Sequence, residues 1–437
     1  MWFSDLLTPL GKREDAAGTR SWLGSKQTKS PGCQWTRMCV ARSAVADTPG
    51  RTARVESLSN PSTEVGLAMT NATLSDSAGE VFAALAAAGA STRPRLALAC
   101  GLSKPTVSVA MAELETARLV ERNGLSRGAT GRSAAVYRLG NRAGYVLAVD
   151  RGSTQVSMRA AGLDGELLDE DRTTQPGSAG AMIAAAVRRR VRSGPLRAVV
   201  VAVSDVVSPT GKGDQATEAR IRHAVASLGL PVHAAVTTEN NVNCAALAEL
   251  HAGAGIDRDA FVFLQVGVAI GAGVVIGRKL LRGINGAAGE VARLTHPWAT
   301  GLPAVREALE SRLGSPGLMR QARARWRHDH GPAPRTAVSL FALAEKGHSL
   351  AVEIVEEHAG EVGKLAASIT ALLDPGLVVL GGGVGRNPLL LPGVVATLDK
   401  LSWPVDVAVS ELGDRATVLG AAYLARELGI REVVTRP

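Results

Sequence analysis

Aromatic side chains are scarce in this 437-residue sequence, where they make up only 3% of the residues. Hydrophobic residues nevertheless reach 46%, so the chain can bury a substantial globular core. With so few aromatics, that core has to be built mainly from Ala, Val and Leu. At this length we expect two or three domains, since about 150 residues per domain is typical.

Cysteine is scarce as well. The four cysteines are Cys33, Cys39, Cys100 and Cys244, and no two of them form a C-x-x-C pair. This spacing argues against a disulfide framework and against a zinc site built from cysteines, so we predict no metal site. A reduced cytoplasmic setting is the simplest one that fits.

The sequence also lacks apolar runs suited to secretion or to a membrane. Residues 1–15 contain no apolar segment adequate for a signal peptide. The most apolar long run, 261–277, is interrupted by Gln265 and several glycines and is short for a membrane helix. We interpret it as two buried strands joined by a glycine turn, and we expect no membrane association.

Residues 1–68 lack the periodicity found in the rest of the chain. They hold three of the six tryptophans, with scattered Ser, Thr, Pro and Gly. We interpret this segment as disordered. A sharper hypothesis is that it is translated upstream sequence and that the protein starts at Met69.

Acidic residues are fewer than basic ones. The chain has 40 Asp and Glu and 49 Lys and Arg, which gives a formal net charge of +9. A basic balance fits a nucleic-acid partner but does not prove one.

The segment 69–140 is predicted to be a winged helix-turn-helix domain. A capping serine, Ser103, follows the tight turn at 101–102 and precedes a helix with a regular apolar stripe. That stripe consists of Val107, Ala110, Met111 and Leu114. Two short strands around a Gly- and Arg-rich loop would form the wing. A plain three-helix bundle is the alternative.

A winged helix-turn-helix places its second turn helix in the major groove of double-stranded DNA. Lys104, Thr106 and Ser108 lie on the predicted exposed face at the start of that helix, where base edges are reached. Two wing arginines would meet phosphates or the minor groove. The predicted DNA-binding residues are Ser103, Lys104, Thr106, Ser108, Arg127 and Arg132.

From residue 145 onward, strands followed by helices predict layered α/β lobes, at about 145–250 and 251–437. Four short motifs in this region resemble those of one family, together with GLSKPTVS in the helix-turn-helix. They are DRGST, ENNVNCAALAE, GAAGE and LGAA, in that order. This ordered set is similar to the ROK family (repressor, open reading frame, kinase) over about 77–437.

The resemblance implies a two-lobed, actin-like and ribonuclease-H-like ATPase fold with a cleft between the lobes. Members that carry an N-terminal winged helix are often sugar-responsive transcriptional regulators, whereas members without it are mostly sugar kinases. Four departures from the kinase motifs imply that catalysis and the structural zinc are lost. Asn241 replaces the catalytic aspartate, Val268 and Ala269 alter the second phosphate loop, Arg293 replaces a zinc-binding histidine, and 294–312 contains no cysteine cluster. We therefore predict no enzymatic activity, no catalytic residue and no cofactor, because a carboxamide is no general base.

The resemblance also implies ligand contacts at Asn240, Glu290 and Glu310. Arg293 beside them suggests a sugar phosphate or a sugar acid rather than a neutral sugar. Each has a plainer interpretation: helix capping for Asn240 and Asn241, an ion pair for Arg293, and a solvated helix position for Glu310. The remaining loop residues are vestigial phosphate-binding positions or simply preserved turns: Asp150, Gly152, Thr154, Gly271, Gly381 and Gly382.

The apolar positions of the helix predicted at 348–373 are either lobe core or the face of a homodimer or a higher homo-oligomer. They are Val352, Ile354, Val355, Val362, Leu365 and Ile369. The whole pattern predicts a DNA-binding regulator, a repressor of carbohydrate-related genes with a catalytically dead kinase-like domain. One alternative is an active sugar kinase that phosphorylates a hexose with ATP and uses Asp205 as its base. The other is a ligand-independent regulator with a vestigial cleft.

Overall fold

The computed structural model describes residues 73–127, 133–152, 154–190, 193–210, 215–231, 235–294 and 308–435. All of them belong to one compact unit, Ser59–Pro437. The predictions for residues 1–68, the start at Met69 and the wing residue Arg132 lie outside the described residues.

The N-terminal part of the described chain, residues 73–127 and 133–139, is called the head below. It begins with three helices, and a residue next to each helix marks where that helix starts or ends. Ser75 and Ser103 are N-caps whose hydroxyls accept from Ala78 N–H and Thr106 N–H, and Gly101 ends the second helix with φ of 65°. Three strands follow the order β1-β3-β2 and form the wing. The elements are α1 Asp76–Ala88, β1 Ser91–Thr92, α2 Arg93–Cys100, α3 Lys104–Thr116, β2 Val120–Arg127 and β3 Ser133–Leu139. The predicted winged helix-turn-helix is confirmed.

The first lobe is a five-stranded sheet of order β6-β5-β4-β7-β8 with three helices. Its first three strands form an antiparallel meander, whereas β4, β7 and β8 are parallel. Strand β7 reads LRAVVVAV and is almost wholly buried, as expected for a parallel strand covered on both faces. The elements are β4 Tyr145–Arg151, β5 Val156–Gly162, β6 Leu167–Thr173, α4 Ala179–Arg190, β7 Leu196–Val203, α5 Gln215–Ala226, β8 Val236–Asn240 and α6 Asn241–Ala252.

The second lobe repeats the layered plan with a sheet of order β11-β10-β9-β12-β13. The apolar run 261–277 forms the β9–β10 hairpin, so the prediction of two buried strands is confirmed. The elements are β9 Phe261–Val266, β10 Ile270–Ile276, β11 Lys279–Leu281, α7 Ala308–Leu313, α8 Ser315–Arg325, α9 Ala337–Glu345, α10 Ser349–Leu373, β12 Leu377–Gly381, α11 Gly382–Gly385, α12 Leu391–Leu401 and β13 Asp406–Val409. The predicted two-lobed α/β fold is confirmed.

Helix α10 contributes its apolar face to the core of the second lobe. Ile354, Val355, Val362, Leu365 and Ile369 are buried within the single chain, and Val352 packs at the edge of the same cluster. The lobe-core interpretation of these residues is therefore confirmed.

The last helix, α13 Ala416–Thr435, connects the head to the first lobe. One hydrophobic cluster contains residues of α1, β4, β7 and α13, so packing continues across the predicted boundary at 140–145. On α13, a Cβ at Gly420 would lie 1.6 Å from the Cys244 carbonyl oxygen of α6. Near its end, Val434 fills the space beside Gly79 of α1. Helix α13 thus lies between α6 and the head.

Within the part of the chain that the structure describes, no helix combines the length and the apolar character needed to cross a membrane.

Candidate functional site

The first candidate site is the N-terminus of α6, which follows β8 without a loop. Asn240 ends the strand and caps the helix, since its Oδ1 accepts from Val242 N–H at 2.8 Å and from Asn243 N–H at 3.2 Å. Its Nδ2 donates to the Asp205 carbonyl at 3.3 Å. The capping interpretation of Asn240 is confirmed. A ligand that contacts this side chain would have to share these groups or displace them.

Glu239, the residue before the cap, is a buried carboxylate that is fully engaged. Its Oε1 accepts from Asn240 N–H at 2.9 Å and from Asn243 Nδ2 at 3.0 Å. Its Oε2 accepts from Arg282 Nε at 2.6 Å. A buried charge is tolerated when it is paired and hydrogen-bonded, and Glu239 meets both conditions. Sequence reasoning missed this pair, although an isolated glutamate at the end of a buried strand signals a need for a cation.

Asn241, in contrast, is the first residue of α6 and does not cap it. Its side chain is half-buried, and its carboxamide makes no hydrogen bond with any described residue. The capping interpretation is wrong for Asn241. The position where the resemblance implies a general base is therefore a half-buried neutral amide at the start of α6.

Asp205, the base required by the kinase alternative, lies close to the cap through its backbone carbonyl. Its carboxylate is held by Arg220, whose Nη2 and Nε donate to Oδ1 at 2.8 and 3.2 Å. To accept a proton from a sugar hydroxyl, this carboxylate would first have to leave the guanidinium.

The predicted ligand residues of the second lobe lie on two segments. Glu290 precedes a short 3-10 helix, and its Oε2 lies 3.5 Å from Arg293 Nε, with both side chains partly exposed. Glu310, on α7, accepts from Ile270 N–H at 3.2 Å, so its interpretation as a merely solvated residue is wrong. The ion-pair interpretation of Arg293 is confirmed. An exposed pair of this kind contributes about 1 kcal/mol or less, so an anionic ligand could replace Glu290.

Glycines of the predicted phosphate loops are required by close packing. A Cβ would lie 2.1 Å from the Phe263 ring at Gly381, 2.5 Å from the Val266 carbonyl at Gly382, and 3.0 Å from Val242 at Gly271. At Gly152 it would lie 3.0 Å from the Gln155 carbonyl, and Thr154 beside it is exposed. These contacts support the interpretation of preserved turns. Phosphate binding by these residues stays a prediction.

Asp150 occupies the last buried position of β4, paired in register with Ser157 and Ala202. Its Oδ1 is buried and accepts no hydrogen bond from any described residue. Burial raises the pKa of this carboxyl to about 7. A strand terminus needs no such residue, so Asp150 is an unusual buried carboxyl at the end of β4.

The second candidate site is the surface that α3 and the wing form on the head, where the sequence predicts DNA binding. Ser103 and Thr106 bond to each other, hydroxyl to hydroxyl, at 2.7 Å, and so serve the cap of α3. Lys104 and Ser108 are exposed and line a cleft of about 310 Å³ between α3 and β3. Arg127 is the last residue of β2 and lies opposite Ser133 in the wing ladder.

Arg93, which sequence reasoning missed, lines the same cleft. Its guanidinium lies 5.1 Å from the centre of the Tyr137 ring and 3.3 Å from a carboxylate oxygen of Glu115. The cleft between the turn helix and the wing is therefore lined by two cations, Arg93 and Lys104, and by two hydroxyl-bearing residues, Ser108 and Tyr137.

Comparison with known proteins agrees with this architecture. A model of the ROK family matches residues 146–428. The bifunctional enzyme NanE/NanK of Brucella melitensis is 32% identical over 206 residues, which cover 47% of this chain and only 37% of that protein. The chain thus spans little more than a third of that relative's length.

Two solved structures share the fold. A ROK family transcriptional regulator, described as a homologue of the E. coli MLC protein, superposes with a TM-score of 0.64 at 20% identity. That match covers 82% of this chain and 96% of the regulator. A ROK hexokinase from Thermus thermophilus superposes with a TM-score of 0.52 at 28% identity, over 64% of this chain and 98% of the hexokinase.

Proposed function

Because the chain belongs to the ROK family, we propose that it is a cytoplasmic DNA-binding transcriptional regulator, a repressor of carbohydrate-related genes. Its kinase-like domain binds an effector and does not catalyse a reaction. One observation carries the proposal: a winged helix with a basic cleft shares its hydrophobic core with a lobe whose general-base position is Asn241.

Loss of phosphoryl transfer follows from the chemistry at the α6 N-terminus. The amide of Asn241 cannot take up the proton that a sugar hydroxyl must release. The nearby carboxylates are already engaged, Glu239 by Arg282 and Asp205 by Arg220. At the turn after β9, the side chain of Val268 is about half exposed and offers methyl groups where a hydroxyl would suit a phosphate.

The proposed effector is a small anion, a sugar phosphate or a sugar acid. Arg293 supplies a planar guanidinium that binds such groups through two parallel hydrogen bonds, and its present partner Glu290 is only partly buried. Asn240 and Glu310 would contribute hydrogen bonds to hydroxyls. In this scheme the anionic group replaces the Glu290 carboxylate at Arg293.

Coupling between the effector site and DNA would run through packed helices. Helix α6 starts at the site, α13 packs on α6 without room for a Cβ at Gly420, and Val434 of α13 packs on α1. The Arg426 guanidinium adds a second connection, with Nη2 donating to the Ala86 carbonyl of α1 at 3.4 Å. A shift of α6 would therefore be transmitted through α13 to the head. Allostery requires that the effector make different contacts in two states of the protein, and such a shift of α6 would distinguish the two states.

Two copies of the chain would bind one operator. A winged helix-turn-helix that acts as a homodimer reads two half-sites related by two-fold symmetry, with a spacing set by the dimer. Mass photometry of the protein alone and on operator DNA would give the number of copies.

The second candidate is an active sugar kinase. It is favoured by the ROK hexokinase among similar structures and by the contact between Asp205 and the α6 cap. It requires Asp205 to leave Arg220 and act as the base. Turnover of ATP with any hexose, abolished by Asp205→Asn, would support this candidate.

Fluorescence anisotropy on DNA from upstream of the protein's own gene tests the proposal. We expect binding that survives competitor DNA and shifts with one sugar phosphate or sugar acid. Specific binding that no compound alters would identify a ligand-independent regulator with a vestigial cleft. Weak binding with a steep salt dependence alone, together with ATP turnover, would overturn the proposal.

A further inference from the structure

The outward surface of α3 is a ridge of short, uncharged side chains. Pro105, Val109, Ala112 and Thr116 follow one another at intervals of four, three and four residues and are all exposed. The opposite face of the helix is buried, at Val107, Ala110, Met111 and Leu114. On this ridge Val109 is the largest apolar side chain, and it is 70% exposed. A single exposed valine is ordinary on a protein surface, so its position on the turn helix carries the argument.

The carboxylates of α3 are held away from this ridge. Glu113 accepts from the Ser75 N–H at 2.8 Å and from the Ser75 hydroxyl at 2.6 Å. Glu115 lies between two guanidinium groups, 3.3 Å from Arg93 and 3.2 Å from Arg122. The charge of Glu115 is thus paired with two cations, and the carboxylate of Glu113 is turned towards Ser75 of the preceding helix cap, so neither carboxylate extends over the ridge.

The neighbours of Val109 define what can reach it. Lys104 and Ser108 flank the ridge on the side of the basic cleft, where they suit phosphates and base edges. Ala112, one turn further on, is too short to hold the helix away from a groove. A branched apolar side chain at the centre of such a surface neither donates nor accepts hydrogen bonds. It distinguishes base pairs only by the methyl group that thymine carries in the major groove.

We propose that Val109 is a specificity-determining residue that contacts a thymine methyl group in each half of the operator. This inference rests on the proposed function and adds the base that one named side chain reads. Lys104 and Ser108 then hold the helix in register, while Val109 and Ala112 discriminate thymine from cytosine at adjacent positions.

The test begins with a preferred duplex, selected from random DNA with the full chain. Each thymine of that duplex is then replaced singly by deoxyuridine, which removes only the C5 methyl. At one or two positions per half-site we expect affinity to fall about fourfold, the value for losing one buried methyl group. With Val109→Ala, overall affinity falls and the replacement at the thymine that Val109 contacts has a clearly smaller effect, whereas the replacement at the thymine beside Ala112 keeps its effect. Val109→Thr keeps the branched shape and one methyl group, so it retains part of the sensitivity.

Val338→Ala is the matched control, because Val338 is 77% exposed on α9 in the second lobe and the substitution is the same. It should leave the pattern of deoxyuridine effects unchanged. Circular dichroism checks that the exposed substitutions leave the head folded.

Three outcomes would overturn the inference. Selective DNA binding with no methyl-sensitive thymine, or with equal sensitivity in Val109→Ala, would refute the role of Val109 and leave the regulator intact. Loss of self-association in Val109→Ala without any change in DNA binding would make the ridge a protein interface. Failure of the wild-type chain to select any sequence would refute the proposed function and the inference together.

Discussion

Two buried carboxylates of the first lobe, Glu239 and Asp150, are each the last residue but one of a strand in the same sheet, but they differ in their partners. Glu239 accepts hydrogen bonds from Asn240, Asn243 and Arg282, so its charge organises the start of α6. Asp150 has a buried Oδ1 that accepts no hydrogen bond from the described residues. The first carboxylate stabilises the fold, whereas the second costs stability when it is ionised. A buried carboxylate oxygen without a hydrogen-bond partner is the kind of unfavourable feature that is expected at present or former functional sites.

The largest expected effect is the pH dependence that Asp150 gives to stability. Burial raises its pKa from 3.8 to about 7, so between these values the folded protein holds a proton that the unfolded chain has released. The contribution of Asp150 to the free energy of unfolding therefore falls as pH rises towards 7 and is then constant. At about 1.4 kcal/mol per pKa unit, the loss is of the order of 4 kcal/mol. Urea unfolding of wild type and Asp150→Asn from pH 3.5 to pH 8 would measure it.

The asparagine variant should lack this slope and should exceed wild type in stability at pH 8. Ser157→Ala, next to Asp150 in the ladder, is the control and should keep the wild-type slope. If the free energy of unfolding depended on pH in the same way in all three proteins, the ionised Asp150 carboxylate would have to be stabilised by a hydrogen bond or a cation in solution.

A buried histidine in the second lobe should make stability depend on pH in the opposite direction. His358 on α10 has two ring nitrogens without a partner among the described residues. Burial, and then the charge of Arg312, lowers its pKa from 6.5 to about 4. Since the unfolded chain takes up this proton first, stability should fall by about 3 kcal/mol as pH drops from 6.5 through 4.

His358→Leu removes the proton uptake and should make unfolding less sensitive to acid in this range. Because both nitrogens lack partners, the substitution should also be neutral or stabilising at pH 7. His348, which caps α10 through its Nδ1, supplies the contrast. His348→Leu should destabilise, and a loss of stability for His358→Leu at pH 7 would contradict the assignment.

The next effect concerns the partner that Asp150 lacks and Glu239 has. Arg282→Ala leaves the Glu239 carboxylate buried without its cation, although two other donors remain. Breaking a buried pair costs 3–5 kcal/mol, and Arg282 is partly exposed, so we expect about 2 kcal/mol. Chemical denaturation would measure this, and Glu239→Gln combined with Arg282→Ala should restore part of the loss. If the double variant is as unstable as the two losses added together, the pair is not coupled.

Whether a contact could be predicted from the sequence depended on how far apart its two residues lie along the chain. The caps at Ser103 and Asn240 are local, because each side chain accepts from a backbone N–H within three residues. The turn at Gly101 is local as well, because it depends on the positive φ of one glycine. Those features, the fold class and the hairpin at 261–277 were predictable. The pairing of Glu239 with Arg282 spans 43 residues and depends on how β11 approaches α6. The connection between α13 and the head depends likewise on tertiary packing, which no local pattern encodes.

The smallest effect on stability, and the sharpest on function, is expected for Arg293. Its pair with Glu290 is partly exposed, so Arg293→Ala should change the free energy of unfolding by less than about 1 kcal/mol. The same variant should lose the response of operator binding to an anionic effector, because the guanidinium is the proposed anion ligand. Anisotropy titrations with the responsive compound would measure this loss of response. Arg282→Ala is measured in parallel as the contrast, because its main expected effect is on stability. An Arg293→Ala protein that still responds with unchanged affinity would place the anion elsewhere in the cleft. Arg293 would then have only the pairing role that Arg282 has for Glu239.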